Sequence, residues 1–512
     1  MADYSVCESL LSQQCVAYED GAVAELCALI RRLGGDETTA SDIVARIDPD
    51  AGIVSAEDVR RVGLQGLGRK VEDSPIEIID AYNVPKLVFE RSTKKIHVET
   101  ENSGTIMDSK SLVDVHLKRL NLIIHRVERH RMFMPDRIGS RSNTIKIIDI
   151  KSLRGMVGTK CFLLGVLFQR QERTVALEDT SGCVDLDLTA TQSTEGLFTE
   201  SSVVLVEGEM RIDGVFDAKA MGFPPLEPKE DVLKVMKGVN YFGGQAISEE
   251  IFPALQAREI ENVDERIFVF SDVWLDKQTV RDDLSRVFQV FNDMGEDCPE
   301  LFVLMGNFHS ETDVDIRGSK MNFKKLANIF NRFENLKENA HFVFVPGPNE
   351  FGDLAVLPKF PLMDEIVAPV KRVLKKVTFT TNPCRVRLFT QEIVILREEL
   401  LNKMLRSLVK APKLDSSSQD SLFKACCSTL IHQSHLCPVP SNSSPIYSQL
   451  DHALQIYPQP DLFILADGAQ MQASVDVKGV ACLSPGRFCD KLFAAYLPAS
   501  RTIELSAVPT DE

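Results

Sequence analysis

The sequence lacks the marks of a membrane-spanning, secreted or zinc-ribbon protein. No run approaches the roughly 18 consecutive apolar residues of a membrane span, and the first residues have no basic flank before an apolar core. The twelve cysteines include no Cys-x-x-Cys pair, which argues against a zinc ribbon and favours buried thiols in a reducing compartment. A cytosolic or nuclear protein with no membrane contact is therefore expected.

Positively charged residues are also fewer than negatively charged ones. Lys and Arg number 58 against 74 Asp and Glu, which gives a formal net charge of −16. Such a surface repels phosphates unless positive charge is concentrated locally, so protein partners are expected rather than bare DNA. One basic segment, residues 112–131, is predicted to be helical. It could form an anion or nucleic-acid patch, although a solvated helix face is the interpretation that we favour.

The 512 residues divide into parts with different periodicity, beginning with a helical one. Residues 1–75 contain short amphipathic stretches with caps and glycine stops, which predicts a small helical domain. Residues 76–150 are predicted to be a linker and extension, with an uncertain pair of strands in KLVFERSTKKIHVET.

Residues 151–225 change to a period of two. Five strand-like runs, with turns at DTSG and at Asp213-Gly214, predict an OB-type β-barrel. Acidic side chains crowd these strands, which disfavours the stacking of single-stranded nucleic acid in a basic groove. In residues 226–512, uninterrupted apolar runs alternate with helices, which predicts an α/β domain whose sheet is covered on both faces. The predicted fold class is thus multidomain α+β.

Polar residues follow several of these apolar runs, where the carboxyl ends of strands would line a ligand crevice. Their order resembles that of a calcineurin-like metallophosphoesterase, in which two cations about 3.5 to 4 Å apart need a bridging carboxylate and several oxygen and imidazole ligands. The four corresponding stretches read Asp272-Val273-Trp274, Gly306-Asn307-Phe308-His309-Ser310, Gly347-Pro348-Asn349-Glu350 and Ala466-Asp467-Gly468-Ala469.

These stretches have lost most of the metal ligands of such an enzyme. The first keeps its carboxylate, but Trp274, the only tryptophan of the chain, replaces a metal-binding His. Asn307 replaces the bridging carboxylate, and Asp272 alone cannot neutralise two divalent ions. Residues 226–512 are therefore expected to form an inactive calcineurin-like phosphoesterase sandwich, with no catalytic residue, metal or other cofactor. The remnants of the site are Asp272, Trp274, Asn307, Pro348, Asn349, Asp467 and Ala469.

Structural roles are expected for two further sets of polar residues. Asp272 should accept hydrogen bonds from loop amides or cap the next helix, so that Asp272→Asn would cost about 1 kcal/mol. His432, His435 and Cys437 in IHQSHLCP have a spacing that could bind a metal. Because no fourth ligand is evident, packing is favoured over metal binding at that sequence.

An acidic OB barrel followed by a dismantled phosphoesterase resembles the B subunits of eukaryotic replicative DNA polymerases, most closely those of DNA polymerase epsilon. The resemblance extends over about residues 75–505. It is carried by LEDTSGCVDLDL, VEGEMRIDGVFDAKAMGFPP, NYFGG, FSDVWLD, VPGPNE, TNPCRVRLFTQEIVILRE and SHLCPVP.

The resemblance implies a nuclear scaffold without catalytic activity of its own. Its implied partners are the zinc-containing C-terminal region of the polymerase catalytic subunit and the replicative helicase with its GINS components, while DNA is contacted only weakly or indirectly. The resemblance also implies an N-terminal domain similar to the lid domain of AAA+ ATPases. Two alternatives stay open: a divergent metallophosphoesterase, and an OB protein that binds single-stranded DNA.

Overall fold

The computed structural model gives two compact units, one formed by Met1–Glu77 with Ile247–Arg258 and the other by Ile78–Ala246 with Glu259–Glu512. The structure describes residues 76–90, 93, 95–99, 109–134, 145–171, 174–247, 251–312, 314–352, 355–414 and 420–509, together with a few positions between residues 17 and 59. No helix among these residues has both the length and the apolar character needed to cross a membrane.

The first unit is described only in part, and most of the predicted helical domain over residues 1–75 lies outside the described residues. Residues 21–24 and 26–27 are helical. Strands β1 (Ala17–Tyr18) and β2 (Ile53–Val54) pair in parallel, a feature that the sequence did not predict.

Between this region and the barrel, the chain forms strands and one long helix. Strand β3 (Ile76–Ile79) precedes β4 (Lys86–Glu90) and β5 (Lys95–Glu99), which pair antiparallel and confirm the uncertain strand pair. Helix α1 (Ser109–Arg129) follows, and its apolar face packs against barrel residues such as Leu164.

The barrel contains all five predicted strands and one short additional strand. These are β6 (Lys160–Gln171), β7 (Thr174–Asp179), β8 (Gly182–Asp187), β9 (Gln192–Ser193), β10 (Val203–Met210) and β11 (Val215–Gly222). Their order is β10-β6-β7-β8-β11-β9, and a further pairing of β10 with β11 closes the barrel. β10 bulges at Gly208, where a Cβ atom would lie 2.2 Å from the carbonyl oxygen of Asp217, so only glycine fits.

After helices α2 (Lys229–Val235) and α3 (Phe252–Glu261), the chain builds two six-stranded sheets, which are consistent with the predicted phosphoesterase-like sandwich. The first has the order β15-β14-β13-β12-β21-β22. Its strands are β12 (Ile267–Ser271), β13 (Leu301–Met305), β14 (His341–Val345), β15 (Lys376–Phe379), β21 (Leu492–Leu497) and β22 (Thr502–Ala507).

The second sheet has the order β19-β20-β18-β17-β16-β3. Its later strands are β16 (Cys384–Leu388), β17 (Gln391–Arg397), β18 (Leu462–Ala466), β19 (Ala473–Val477) and β20 (Val480–Ser484). The Tyr496 hydroxyl of the first sheet donates a 3.0 Å hydrogen bond to Gln391 of the second, so the two sheets are in direct contact.

Each sheet shares an apolar core with helices. Helices α4 (Gln278–Asp293), α5 (Ile316–Phe330), α6 (Glu334–Asn339) and α7 (Asp364–Lys371) belong to the core of the first sheet, and α8 (Leu400–Arg406) and α9 (Ser421–Gln433) to that of the second. Loops of the two sheets meet at the carboxyl ends of the parallel strands. Asp272 follows β12 of the first sheet and bonds Arg397 at the end of β17 of the second. Polar residues at such strand ends line the ligand crevice in α/β sheets.

Candidate functional site at the strand ends

Three of the predicted site residues lie in one chain of hydrogen bonds. The Oδ1 atom of Asp272, which follows β12, accepts a 3.1 Å hydrogen bond from the backbone N–H of Asn307. The Oδ1 atom of Asn307 in turn accepts a 3.0 Å bond from the backbone N–H of Asn349. The predicted bond between Asp272 and a loop amide is therefore present, and backbone amides of the protein itself bond the Oδ1 atoms of both side chains.

The centre of this site is an arginine that the sequence did not single out. Arg397 ends β17 and is 1% exposed. Its Nη2 atom lies 2.8 Å from Asp272 Oδ1 and 3.0 Å from Glu399 Oε1. Its Nε donates a 2.8 Å bond to the Gly306 carbonyl. Burial opposes the charged guanidinium, but Asp272 and Glu399 together outweigh it and raise the pKa of Arg397 above its ordinary value.

Arg397 itself is held by a buried amide. Asn382 accepts a 3.0 Å hydrogen bond from the backbone N–H of Arg397 through Oδ1, and its Nδ2 donates a 3.0 Å bond to the Pro346 carbonyl. Asn382 has no exposed surface. The TNPCRVRLF stretch thus ties the end of β17 to the loop that follows β14, which fixes the position of the guanidinium.

A second arginine, Arg487, lies near the other carboxylate oxygen of Asp272. The Arg487 guanidinium carbon lies 5.0 Å from the centroid of the Trp274 ring, within the range of a cation–π contact. Its Nε is 4.0 Å from Asp272 Oδ2 and 3.5 Å from Asp490. The Trp274 ring therefore supports a cation of the protein itself.

The third predicted stretch contributes a residue other than the expected ones. Pro348 is half-buried and the Asn349 side chain is exposed, whereas Glu350 is buried. Glu350 accepts a 2.9 Å bond from the Phe308 backbone N–H, and its other oxygen lies 3.3 Å from His309 Nε2. Burial is the largest influence on the pKa of His309 and lowers it, but the interactions with Glu350 and neighbouring acceptors together outweigh burial and raise that pKa.

The fourth stretch performs a separate structural task. Asp467 accepts a 2.7 Å bond from the N–H of Leu401 in the first turn of α8, and a 2.9 Å bond from the N–H of Ala469, whose side chain is exposed. Burial raises the pKa of Asp467 to about 6. The helix cap that we considered for Asp272 is thus supplied here by Asp467, to a different helix.

The residues at this site do not fit a two-metal centre. The Asp272 carboxylate is bonded to Arg397 and faces Arg487, so the donor that would bind a cation is already neutralised by the protein. Over the ranges that the structure describes, no three His, Cys, Asp or Glu side chains are grouped in a way that could hold a metal ion.

Both histidines of the His-x-x-His-x-Cys stretch form contacts with other groups of the protein. The Nδ1 atom of His432 bonds the Ser428 carbonyl at 2.7 Å, and burial lowers the pKa of His432 to about 4. His435 Nδ1 accepts a 3.0 Å bond from the Cys437 backbone N–H, while its Nε2 lies 3.2 Å from Asp451. These contacts agree with the favoured packing role.

The expectation that the basic residues of α1 form a solvated face is wrong for its buried arginine, Arg126. Arg126 of α1 is 3% exposed and donates 2.7 Å hydrogen bonds to the Ser434 hydroxyl and the His432 carbonyl, at the C-terminal end of α9. Arg119 forms an ion pair with Asp451. These cations are turned inward, where carbonyls and carboxylates replace the water that the side chains lose on burial.

Two protein families match this chain. The family of the B subunit of DNA polymerase alpha/epsilon matches residues 267–474, and the family described as DNA polymerase epsilon subunit 2-like, OB-fold domain, matches residues 109–225. The second match begins at the first residue of α1, so it includes that helix together with the barrel.

Full-length relatives agree with these matches. DNA polymerase epsilon subunit 2 of Mus musculus is 34% identical over 445 residues, which cover 83% of this chain and 82% of the relative. The B subunit of DNA polymerase epsilon from Arabidopsis thaliana is 33% identical over 442 residues, covering 85% and 83%. The corresponding B subunit from Saccharomyces cerevisiae is 28% identical and covers 70% and 60%.

Proposed function

Because this chain belongs to the family of DNA polymerase alpha/epsilon B subunits, on its epsilon branch, we propose that it is a non-catalytic scaffold subunit of DNA polymerase epsilon. In this role it holds the zinc-containing C-terminal region of the catalytic subunit and connects that subunit to the replicative helicase and its GINS components in the nucleus. Membership of this family supports the role of an accessory subunit. The contacts with the catalytic subunit and with the helicase are what we propose.

The ion pair between Arg397 and Asp272 supports the non-catalytic part of this proposal. A divalent cation bound to the same carboxylate would lie only about 4 Å from a fixed positive charge. At an effective dielectric constant of about 20, that repulsion amounts to roughly 8 kcal/mol. A protein whose strand ends are closed by two arginines is suited to a rigid structural junction rather than to hydrolysis.

Affinity isolation of the tagged full-length chain from nuclear extract, followed by mass spectrometry, tests the scaffold. Stoichiometric recovery of the polymerase catalytic subunit is expected. Its absence under conditions that preserve the chain would contradict the proposal, and recovery without helicase components would remove only the second contact.

The two alternatives have their own measurements. Metal analysis of the purified chain and a phosphodiesterase assay with added manganese test whether the chain is a metallophosphoesterase. That alternative requires two tightly bound metals per chain and hydrolysis of the substrate. Titration with a labelled oligonucleotide at two salt concentrations addresses the single-strand binder, since its affinity would fall steeply with salt. We expect neither activity.

A further inference from the structure

Three aromatic side chains from distant parts of the sequence form a cluster on the second unit, and we refer to Tyr82, Phe360 and Tyr447 as the aromatic platform. Tyr447 is half-buried. The rings of Tyr82 and Phe360 are stacked, with centroids 5.9 Å apart and planes 21° from parallel. The Tyr447 ring lies 5.7 Å from that of Phe360. Tyr82 and Phe360 are each 45% exposed, which is unusual for rings that already pack on one another.

The backbone beneath these rings is held rigidly. The backbone N–H of Tyr447 bonds the Leu357 carbonyl at 2.8 Å, and Leu357 bonds back to the Pro445 carbonyl at 3.0 Å, so the segments that carry Phe360 and Tyr447 are joined. The loop of Tyr82 is tied down by a 2.7 Å bond from the Ala81 N–H to Thr381. The rings are therefore positioned before any partner arrives, which reduces the entropic cost of binding.

The charge beside the platform is negative. Asp80 Oδ1 accepts 3.0 and 3.1 Å hydrogen bonds from the N–H groups of Tyr82 and Asn83, which places its carboxylate at the base of the Tyr82 turn. Lys359, which precedes Phe360, is only 3% exposed and does not present its charge at the surface. Together with a net charge of −16, this arrangement repels the phosphates of nucleic acid.

We propose that the aromatic platform binds an extended, arginine-bearing segment of a protein partner. A guanidinium stacks on the exposed face of an aromatic ring and also pairs with a carboxylate, so it satisfies both Tyr82 and Asp80. A neutral side chain forms no ion pair with Asp80, and a lysine ammonium, which is not planar, cannot stack on the ring as a guanidinium does. Flanking prolines suit the rings next to it, since extended proline-rich segments bind aromatic surfaces with little loss of entropy.

Fluorescence anisotropy with defined probes tests this inference independently of the polymerase. The probes are a fluorescein-labelled Pro-Pro-Arg-Pro-Pro peptide and the same peptide with citrulline, which has the shape of arginine without its charge. The full-length chain should bind the arginine peptide at least about fivefold more tightly than the citrulline peptide. Tyr82→Leu, which keeps the apolar surface but removes the ring, should reduce that difference, leaving only the part that comes from Asp80.

Asp80→Asn separates charge from structure, because asparagine retains the oxygen that accepts the turn hydrogen bonds. It should reduce the preference for arginine without lowering the melting temperature. Phe252→Leu is the matched control, since Phe252 is an exposed phenylalanine, 44% accessible, outside the platform. Equal binding of the two peptides, no binding of either, or a preference unchanged in Tyr82→Leu overturns the proposal. Tyr82-dependent binding of a labelled oligothymidylate in preference to the peptide also overturns it and assigns the platform to nucleic acid.

Discussion

The guanidinium of Arg397 and the carboxylate of Asp272 form a 2.8 Å ion pair in which the two side chains are only 1% and 4% exposed. A buried ion pair contributes little net stability, because both charges lose their hydration. Removal of one partner is nevertheless costly, because it leaves the other charge buried and unpaired. The pair thus ties the loop after β12 to the end of β17.

Single replacement of either partner should therefore destabilise the protein. Asp272→Asn and Arg397→Met should each lower the free energy of unfolding by about 3 kcal/mol, and the two replacements together should recover much of that loss, because no buried charge is then left unpaired. Thermal unfolding monitored by circular dichroism measures the shifts. Arg501→Met is the control, because its 3.8 Å pair with Asp461 involves a 57% exposed arginine and should cost less than about 1 kcal/mol.

This expectation replaces the cost of about 1 kcal/mol that sequence reasoning gave to Asp272→Asn. If the single replacements cost no more than the Arg501 control, the pair is not the buried structural link that we describe.

Some strands and side chains of this region can be predicted from the sequence, and others cannot. Strands such as β12 and β14 are predictable because burial on both faces produces continuous apolar runs. Strands β19 and β22 escape prediction, since each carries exposed residues and polar side chains interrupt its pattern. Arg397 is also missed, because its carboxylate partner lies 125 positions away and an arginine after an apolar run resembles the solvated end of a strand.

A second prediction concerns Arg126, which joins α1 to the end of α9. Arg126→Met should leave the Ser434 hydroxyl and the His432 carbonyl without their charged donor and destabilise the protein by about 1 to 3 kcal/mol. Arg131→Met, in the same basic segment but at an exposed position, should change stability by no more than about 0.5 kcal/mol. Similar melting temperatures for both variants would show that the segment is solvated, as the sequence alone suggested.

Acid sensitivity gives a third prediction, centred on His432. Its pKa of about 4 in the folded state lies below the ordinary histidine value, because burial disfavours the charged ring. The unfolded chain therefore binds the proton first, and the folded state loses stability as the pH falls from about 6.5 towards 4. The loss from this one residue reaches about 2 kcal/mol at pH 5.

The measurement is the difference in melting temperature between pH 7 and pH 5, for the original chain and for His432→Gln. The variant should show the smaller decrease. Asp467 acts in the opposite direction: its pKa of about 6 is raised in the folded state, so its contribution to stability increases as the pH falls from about 6 towards 4. An unchanged acid sensitivity in His432→Gln would contradict the assignment.

The last prediction joins the division into units with the proposed partner. If the barrel and the two-sheet region carry the binding surface for the catalytic subunit, residues 78–512 should retain the C-terminal region of that subunit, and residues 1–77 should not. A lasting contact of this kind buries a large, mainly apolar interface, so retention should be nearly equal at about 0.1 M and about 0.5 M salt. Charge-driven binding would instead weaken, because the Debye length falls well below about 10 Å at the higher concentration.

A pull-down with the two fragments and the full-length chain decides between these modes of binding. Because residues 247–258 cluster with the N-terminal unit, a shortened chain that also lacks them is the matched control for effects of the cut itself. Retention by residues 1–77 alone would place the main contact in the N-terminal unit. Loss of retention by residues 78–512 at high salt, while the full-length chain still binds, would lead to the same conclusion, since the two chains differ only by residues 1–77.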